Sequence, residues 1–342
     1  GVDMSQSSPQ PVSYAMPLPW QQSAWSQLER ARSTGRMPHA LLLHGVAGLG
    51  KFEFAKWLAN AVLCEANAKD TTRLQPCMQC ASCKLFAASS HPDFVLIRPE
   101  EDKTQISVEQ IRDASERLHM TSGRQGYRVA IVEPAHQLTV AAANALLKTL
   151  EEPGSRTLLI LVTSQRGAML PTIRSRCQQL GLSVPSVTVA QNWLQQQIGK
   201  TVPADLLAFA NHAPLRVLHC LQGSFDSMQK SMAPALSSLS SADVTQIAQE
   251  WADEHLPERL DWLDFWLSRR IRHEIAGNDD PVTSNVNRPS LQSGSQVLNI
   301  SALFQALDRV RELKARLRRT ALQKELAIES VLLVLQRALS TT

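Results

Sequence analysis

The sequence predicts an α/β domain, a parallel sheet flanked by helices, followed by an all-α half. Three observations carry this. Short apolar runs alternate with helical periodicity over residues 15–182; a glycine-rich turn joins the first run to a helix; and beyond Val184 only helical periodicity remains. The turn, Gly45-Val46-Ala47-Gly48-Leu49-Gly50-Lys51-Phe52, matches the phosphate loop G-x-x-x-x-G-K-[ST] at every fixed position but the last. In a working loop the backbone N–H groups surround phosphates, the Lys reaches the outer ones, and the final hydroxyl ligates Mg²⁺. Phe52 has no oxygen to give.

A chain of 342 residues predicts two or three domains, each able to bury a core. With 44% hydrophobic and 19% charged residues the composition is globular, and a net charge of +4 permits contact with nucleic acid without demanding it. No apolar run approaches the roughly 18 residues of a membrane span, and the start carries no secretory pattern, so a cytoplasmic location is expected and no membrane contact. Gly1-Val2-Asp3 ahead of Met4 reads as a cloning remnant, and residues 1–14 as an unfolded tail.

Along the chain, Pro19 to Arg32 predicts a helix with Trp25 and Leu28 on its apolar side and Gly35 closing it. Ala40-Leu41-Leu42-Leu43 is a buried parallel strand leading into the phosphate loop, and Phe52 to Leu63 is a helix with Phe54, Ala55, Leu58, Ala59 and Val62 inward. Cys64 and Cys77-Met78-Gln79-Cys80-Ala81-Ser82-Cys83 follow; two overlapping C-x-x-C steps and a fourth cysteine suit a closed, structural zinc site of Cys64, Cys77, Cys80 and Cys83. Free thiols or a redox pair are the alternative. Phe94 to Ile97 is a second strand, Ile106 to His119 a helix with Ile106, Val108, Ile111, Ala114 and Leu118 inward, and Gly123 to Gly126 a loop.

Tyr127 to Val132 is a third strand, ending at Glu133-Pro134. Nucleoside triphosphatases of this layout carry two acids there, one for Mg²⁺ and one to activate water. Proline can do neither. Ala141 to Glu152 is a helix stopped by Pro153-Gly154, Leu158 to Val162 a fourth strand, and Pro171 to Cys177 leads to Leu180, where the α/β alternation ends. Thr188–Ile198, Ala204–Asn211 and Pro214–Leu221 predict short helices, and the Ser-rich stretch from Ser224 to Ser241 a hinge. Trp251, Trp262 and Trp266 fit a helical core, or alternatively a stacking platform for nucleic acid. Pro281 to Gln296 predicts an exposed loop, and Ser301–Arg319 and Ala321–Leu339 two final helices joined by a Thr320/Gln323 capping box. Arg309, Arg311, Lys314, Arg316, Arg318 and Arg319 crowd the first of these, as a solvated face over Leu303, Leu307, Val310, Leu313 and Leu317 or as a surface for DNA or acidic subunits.

Taken together, His39-Ala40-Leu41-Leu42-Leu43, the altered phosphate loop, the four-cysteine insert, His91-Pro92-Asp93, the run from Asn144 through Leu146, Lys148 and Glu151 to Pro153, and Ser175-Arg176-Cys177 resemble the bacterial clamp loader AAA+ family. The motifs lie in the first half; the second agrees in being helical and of suitable length. The resemblance implies an AAA+ RecA-like parallel sheet domain with a zinc-binding insert at 64–83, a small helical lid domain at 183–225 and a C-terminal helical collar domain at 226–342. It also implies a hetero-oligomeric loader that uses ATP to open a ring-shaped sliding clamp and close it on primed DNA. This chain is most similar to the end subunit, which sits beside an ATP-binding gamma or tau subunit, faces delta, and does not hydrolyse ATP. Its Arg176 would be presented as an arginine finger to the neighbour's ATP, while Gly45, Gly48, Gly50 and Lys51 would hold nucleotide weakly or not at all. Arg216 stands where ATP-binding members carry a second-domain sensor arginine. Two rival readings remain: an active gamma-type ATPase, opposed by Phe52 and Pro134, and a zinc-bearing DNA-binding module, opposed by the few basic residues near the cysteine turn.

Overall fold

The computed structural model describes residues 14–120, 126–202, 204–222, 225–276, 300–317 and 323–340. The chain divides into two compact units, Gly1–Gln197 with Asn211–Arg216, and Ile198–Ala210 with Val217–Thr342.

In the first unit a 3₁₀ turn at Pro19–Gln21 leads into α1 (Gln22–Ser33), β1 (Ala40–His44) and α2 (Lys51–Leu63), then α3 (Glu65–Lys69), α4 (Ala81–Ala87) and β2 (Phe94–Ile97). There follow α5 (Val108–His119), β3 (Arg128–Val132), α6 (Val140–Glu151), β4 (Thr157–Thr163), α7 (Pro171–Arg174), β5 (Gln178–Gly181) and α8 (Val187–Ile198). The strands form one parallel sheet in the order β2-β3-β4-β1-β5, with Leu41 opposite Ile160 and Leu43 opposite Leu180. Because side chains alternate across a strand, the apolar runs supply two cores. Leu41, Leu43, Ile131 and Ile160 pack beneath α1 and α2, with Trp25 edge-on to Phe54 at 5.3 Å. Leu42, Ala130, Val132 and Leu161 pack on the other face against Ile111, Leu146 and Ile173 of α5, α6 and α7. This is the parallel sheet flanked by helices that the sequence predicts, and it brings the ends of β1, β3 and β4 to one edge, where open parallel sheets place ligands.

The structure departs from expectation in specific places. A fifth strand, β5, pairs with β1; only Leu180 of it is buried, so an edge strand of Gln, Gln and Gly leaves no apolar run to read. Helix α5 starts at Val108, because Ser107 caps it and closes a capping box with Gln110. Ile106 instead forms a parallel bridge with Leu138. Tyr14 is not part of a tail: its ring meets Trp193 edge-on at 5.6 Å.

The second unit holds α9 (Ala204–Phe209), most of α10 (Pro214–Gln222), α11 (Phe225–Ser237), α12 (Val244–Trp251), α13 (Leu256–Ala276), α14 (Ile300–Leu317) and α15 (Lys324–Leu339). The expected hinge at Ser224–Ser241 is wrong over its described residues. Met228, Met232 and Leu236 recur one turn apart and are buried, so α11 is held by its packing despite its serines. Trp251, Trp262 and Trp266 lie in the same core, as packing rather than as a platform. Leu303, Leu307, Val310 and Leu313 are buried as read, and part of the basic run on α14 is neutralised by α13. Lys314 pairs with Asp261 at 2.6 Å and with buried Asp264 at 3.2 Å, and Arg311 with Asp264 at 3.3 Å. Helix α15 begins after Gln323, which stands at the N-cap without a side-chain bond. Thr320, Arg318, Arg319 and the stretches 121–125 and 281–296 lie outside the described residues.

Candidate functional site

The phosphate loop runs from the end of β1 to the start of α2. Gly48 and Gly50 hold φ of +87° and +77°, which side-chain-bearing residues rarely adopt. Space forbids a side chain as well: a Cβ on Gly48 would stand 2.7 Å from the Cβ of Arg216, and one on Gly50 2.9 Å from Leu18 Cδ1. Arg216 thus packs over the loop. A Cβ on Gly45 would meet the Leu182 carbonyl at 2.7 Å.

Carbonyl groups of the loop are engaged by donors of the protein itself. Trp20 Nε1 and Gln21 Nε2 donate to the Leu49 carbonyl, each at 2.9 Å, and the Leu215 N–H donates to Gly48 O at 3.0 Å. Lys51 Nζ, nearly buried, donates to the carbonyl of Val46 at 2.8 Å. Burial lowers the pKa of Lys51, against the pull of Glu133 and Glu53. The lysine that would meet phosphates is bonded across its own loop.

Beside it stands an arrangement that the sequence reading missed. Arg98, directly after β2, lays its guanidinium over the Phe52 ring at 4.0 Å from the centroid and pairs through Nε with Glu133 Oε2 at 2.8 Å. Phe52 replaces the hydroxyl and Glu133 directly follows β3, so the two positions that would bracket Mg²⁺ bracket a side-chain cation instead. The residues do not fit the metal: hard Mg²⁺ needs several oxygens in near-octahedral array, and here one partner is a ring and the carboxylate is already paired. Nearby, His136 Nδ1 lies 2.9 Å from Thr163 Oγ1 at the end of β4. Burial lowers the pKa of His136, helped by Lys51, and that of His44, helped by Arg166 and Lys51, so both rings are neutral at neutral pH.

The cysteine cluster lies where α2 ends. The Sγ atoms of Cys64, Cys77, Cys80 and Cys83 all fall within 4.8 Å of one another. In a tetrahedral thiolate site with metal–sulfur bonds of about 2.3 Å the sulfurs stand about 3.8 Å apart, so the four fit one ion with small adjustment. Backbone N–H groups already point at the sulfurs: Cys77 N to Cys64 Sγ and Cys80 N to Cys77 Sγ at 3.3 Å, and Cys83 N to Cys80 Sγ at 3.4 Å. The N–H groups of Gln79 and Cys80 lower the Cys77 pKa to about 6, while burial raises that of Cys83. Four cysteines so placed can hold a metal ion. Ser82, inside the cluster, donates to Leu63 O at 2.7 Å, and its oxygen lies 2.8 Å from His91 Nε2. Because the Asp93 N–H donates to His91 Nδ1 at 3.1 Å, the ring proton sits on Nε2. His91-Pro92-Asp93 thereby ties the cysteine turn to the start of β2.

Arg176 follows α7 and is partly exposed. Its Nη1 donates to Thr172 O at 2.9 Å and its Nη2 pairs with Glu151 Oε1 at 2.7 Å. The phosphate loop, cysteine cluster and Arg176 are all carried by the first unit.

Comparison with known proteins gives the chain its family. The model described as "DNA polymerase III, delta subunit" matches residues 20–186, and "DNA polymerase III, delta subunit, C terminal" matches residues 228–337. DNA polymerase III subunit delta' of Pseudomonas aeruginosa is 33% identical over 268 residues, 77% of this chain and 79% of that one. Its Escherichia coli counterpart is 31% identical over 327 residues, 94% of this chain and 96% of that one. DNA polymerase III subunit tau of Bacillus subtilis is 36% identical over 152 residues, 44% of this chain and 26% of that protein. With both halves matched and delta' relatives aligned over 79% and 96% of their length, the chain belongs to the delta' subunit family of the DNA polymerase III clamp loader.

Proposed function

We propose that this chain is a non-hydrolysing subunit of the clamp loader, supporting ATP-dependent loading of the sliding clamp onto primed DNA and supplying Arg176 as an arginine finger to a neighbouring ATPase subunit. The observation that carries the reading is the Arg98 guanidinium held between Phe52 and Glu133, where a hydrolysing site needs Mg²⁺. Pro134, in place of the second acid, can neither take a proton nor orient water, and Lys51 donates to the carbonyl of Val46 within its own loop. Arg176, by contrast, lies at the surface with donors to spare. Charge develops on the γ-phosphoryl oxygens during hydrolysis, and a guanidinium offered from another chain stabilises it by about 10³–10⁵ in rate. Hydrolysis then depends on correct assembly.

The partners of this reading are gamma or tau subunits and delta, with the clamp and primed DNA reached indirectly, in a cytoplasmic hetero-oligomer. The sheet domain at 15–182 carries finger and loop, 183–225 is a lid, and 226–342 a collar for oligomerisation. Zinc is the ion assigned to Cys64, Cys77, Cys80 and Cys83, since it prefers four thiolates in tetrahedral array and here would be structural. Arg176→Ala in a reconstituted loader tests the proposal: turnover should fall by at least about tenfold while the subunit still assembles. Unchanged turnover refutes the finger, and brisk hydrolysis by the isolated chain refutes the non-hydrolysing role.

A further inference from the structure

Resting on the finger reading above, we infer that Glu151 is a positioning residue which latches Arg176 in the free subunit and releases it to the neighbour's phosphates on assembly. The placement of Glu151 is the first argument. It is the last residue of α6, followed by Glu152 at the C-cap. A helix C-terminus carries partial negative charge, so two carboxylates there oppose the dipole and weaken the helix. Glu151 gains a compensating partner in Arg176 Nη2, 2.7 Å away, brought to it by the connection between β4 and β5.

The second argument is the strength of the contact. The two side chains are 36% and 52% exposed, and a pair so open to water is weak. It orders a long side chain and cancels its charge, yet yields readily to a stronger anion. A triphosphate presents several charged oxygens to the planar fork and outcompetes one carboxylate. The carbonyl of Thr172, bonded to Nη1 at 2.9 Å, needs no release: it carries no net charge and leaves three of the five N–H donors unspoken for by Glu151 and Thr172. The exchange of Glu151 for phosphate makes the free subunit quiet and the assembled one active.

The test is ATP hydrolysis by the complete loader, titrated with wild-type, Glu151→Gln, Glu151→Asp and Arg176→Ala forms of this subunit. Glu151→Gln should lower the subunit concentration giving half-maximal turnover by up to about fivefold at low salt, the range of an exposed pair, and leave the maximal rate unchanged. Glu151→Asp, which restores the charge, should return the titration toward wild type, and added salt should shrink the difference. A lowered maximal rate, or an unshifted titration while Arg176→Ala is slow, overturns the latch and leaves the finger standing. Arg176→Ala at the wild-type rate overturns the finger itself. Thermal unfolding of each variant checks that the fold is intact.

Discussion

Removing Arg98 measures whether a side-chain cation stands where the metal would. Its guanidinium makes a cation–π contact with Phe52 and an ion pair with Glu133, and the side chains of the pair are 46% and 25% exposed. Such partial exposure limits the ion pair to about 0.2–1 kcal/mol and the cation–π contact to about 0.5–1 kcal/mol. Arg98→Ala should therefore destabilise the protein by about 1–2 kcal/mol, a shift of about 2–8 °C for a unit of this size. Phe52 also fills space against the core beneath α2, so Phe52→Leu carries its own packing loss and only a double-mutant cycle isolates the contact. Urea unfolding of wild type, Arg98→Ala, Phe52→Leu and the double variant should give a coupling of about 0.5–1 kcal/mol. Strict additivity would refute the arrangement, since it would mean that ring and guanidinium do not meet.

Metal analysis should find one zinc per chain, lost in Cys80→Ser, with chelation lowering the melting temperature by at least about 5 °C, because binding at such a site is folding energy; a metal-free chain of full stability contradicts the assignment. His44 and His136 have pKa values lowered by burial, so the unfolded chain takes up protons more readily. Stability should then fall as pH drops through the unfolded value of about 6.5, and His136→Asn, which keeps a polar group facing Thr163, should lose less between about pH 7.5 and pH 5.5. Equal losses in denaturant midpoint for the two proteins would contradict that assignment of the slope.

What the sequence revealed, and what it withheld, follows from the range of the forces involved. β1, β3 and β4 are legible because strands covered on both faces are unbroken apolar runs, as in Ala40-Leu41-Leu42-Leu43, and the edge strand β2 because Phe94 to Ile97 are all apolar although Leu96 is exposed. β5 is not, since an edge strand needs only backbone pairing with β1 and one inward residue, Leu180. The cysteine cluster is legible from spacing alone, because a local turn brings Cys77, Cys80 and Cys83 together and one helix end supplies Cys64. The loss of a metal ligand at Phe52 is likewise legible. Its replacement by Arg98 is not, because that contact arises only when β2, β3 and α2 come together. A signal existed, though: Arg98 directly follows a parallel strand, at the edge where ligands bind. Glu151 falls inside the predicted helix Ala141 to Glu152, and its opposition to the helix dipole is the local inconsistency that marks it. In α11 the serines masked three buried residues at four-residue spacing, which tertiary packing turned into a helix.

Turnover of a reconstituted loader carrying this subunit as Lys51→Ala or as Arg176→Ala separates a chain that lends a charge from one that runs its own chemistry. The disarmed loop predicts wild-type turnover for Lys51→Ala and a fall of at least about tenfold for Arg176→Ala. Slow turnover with Lys51→Ala beside unchanged turnover with Arg176→Ala would contradict it.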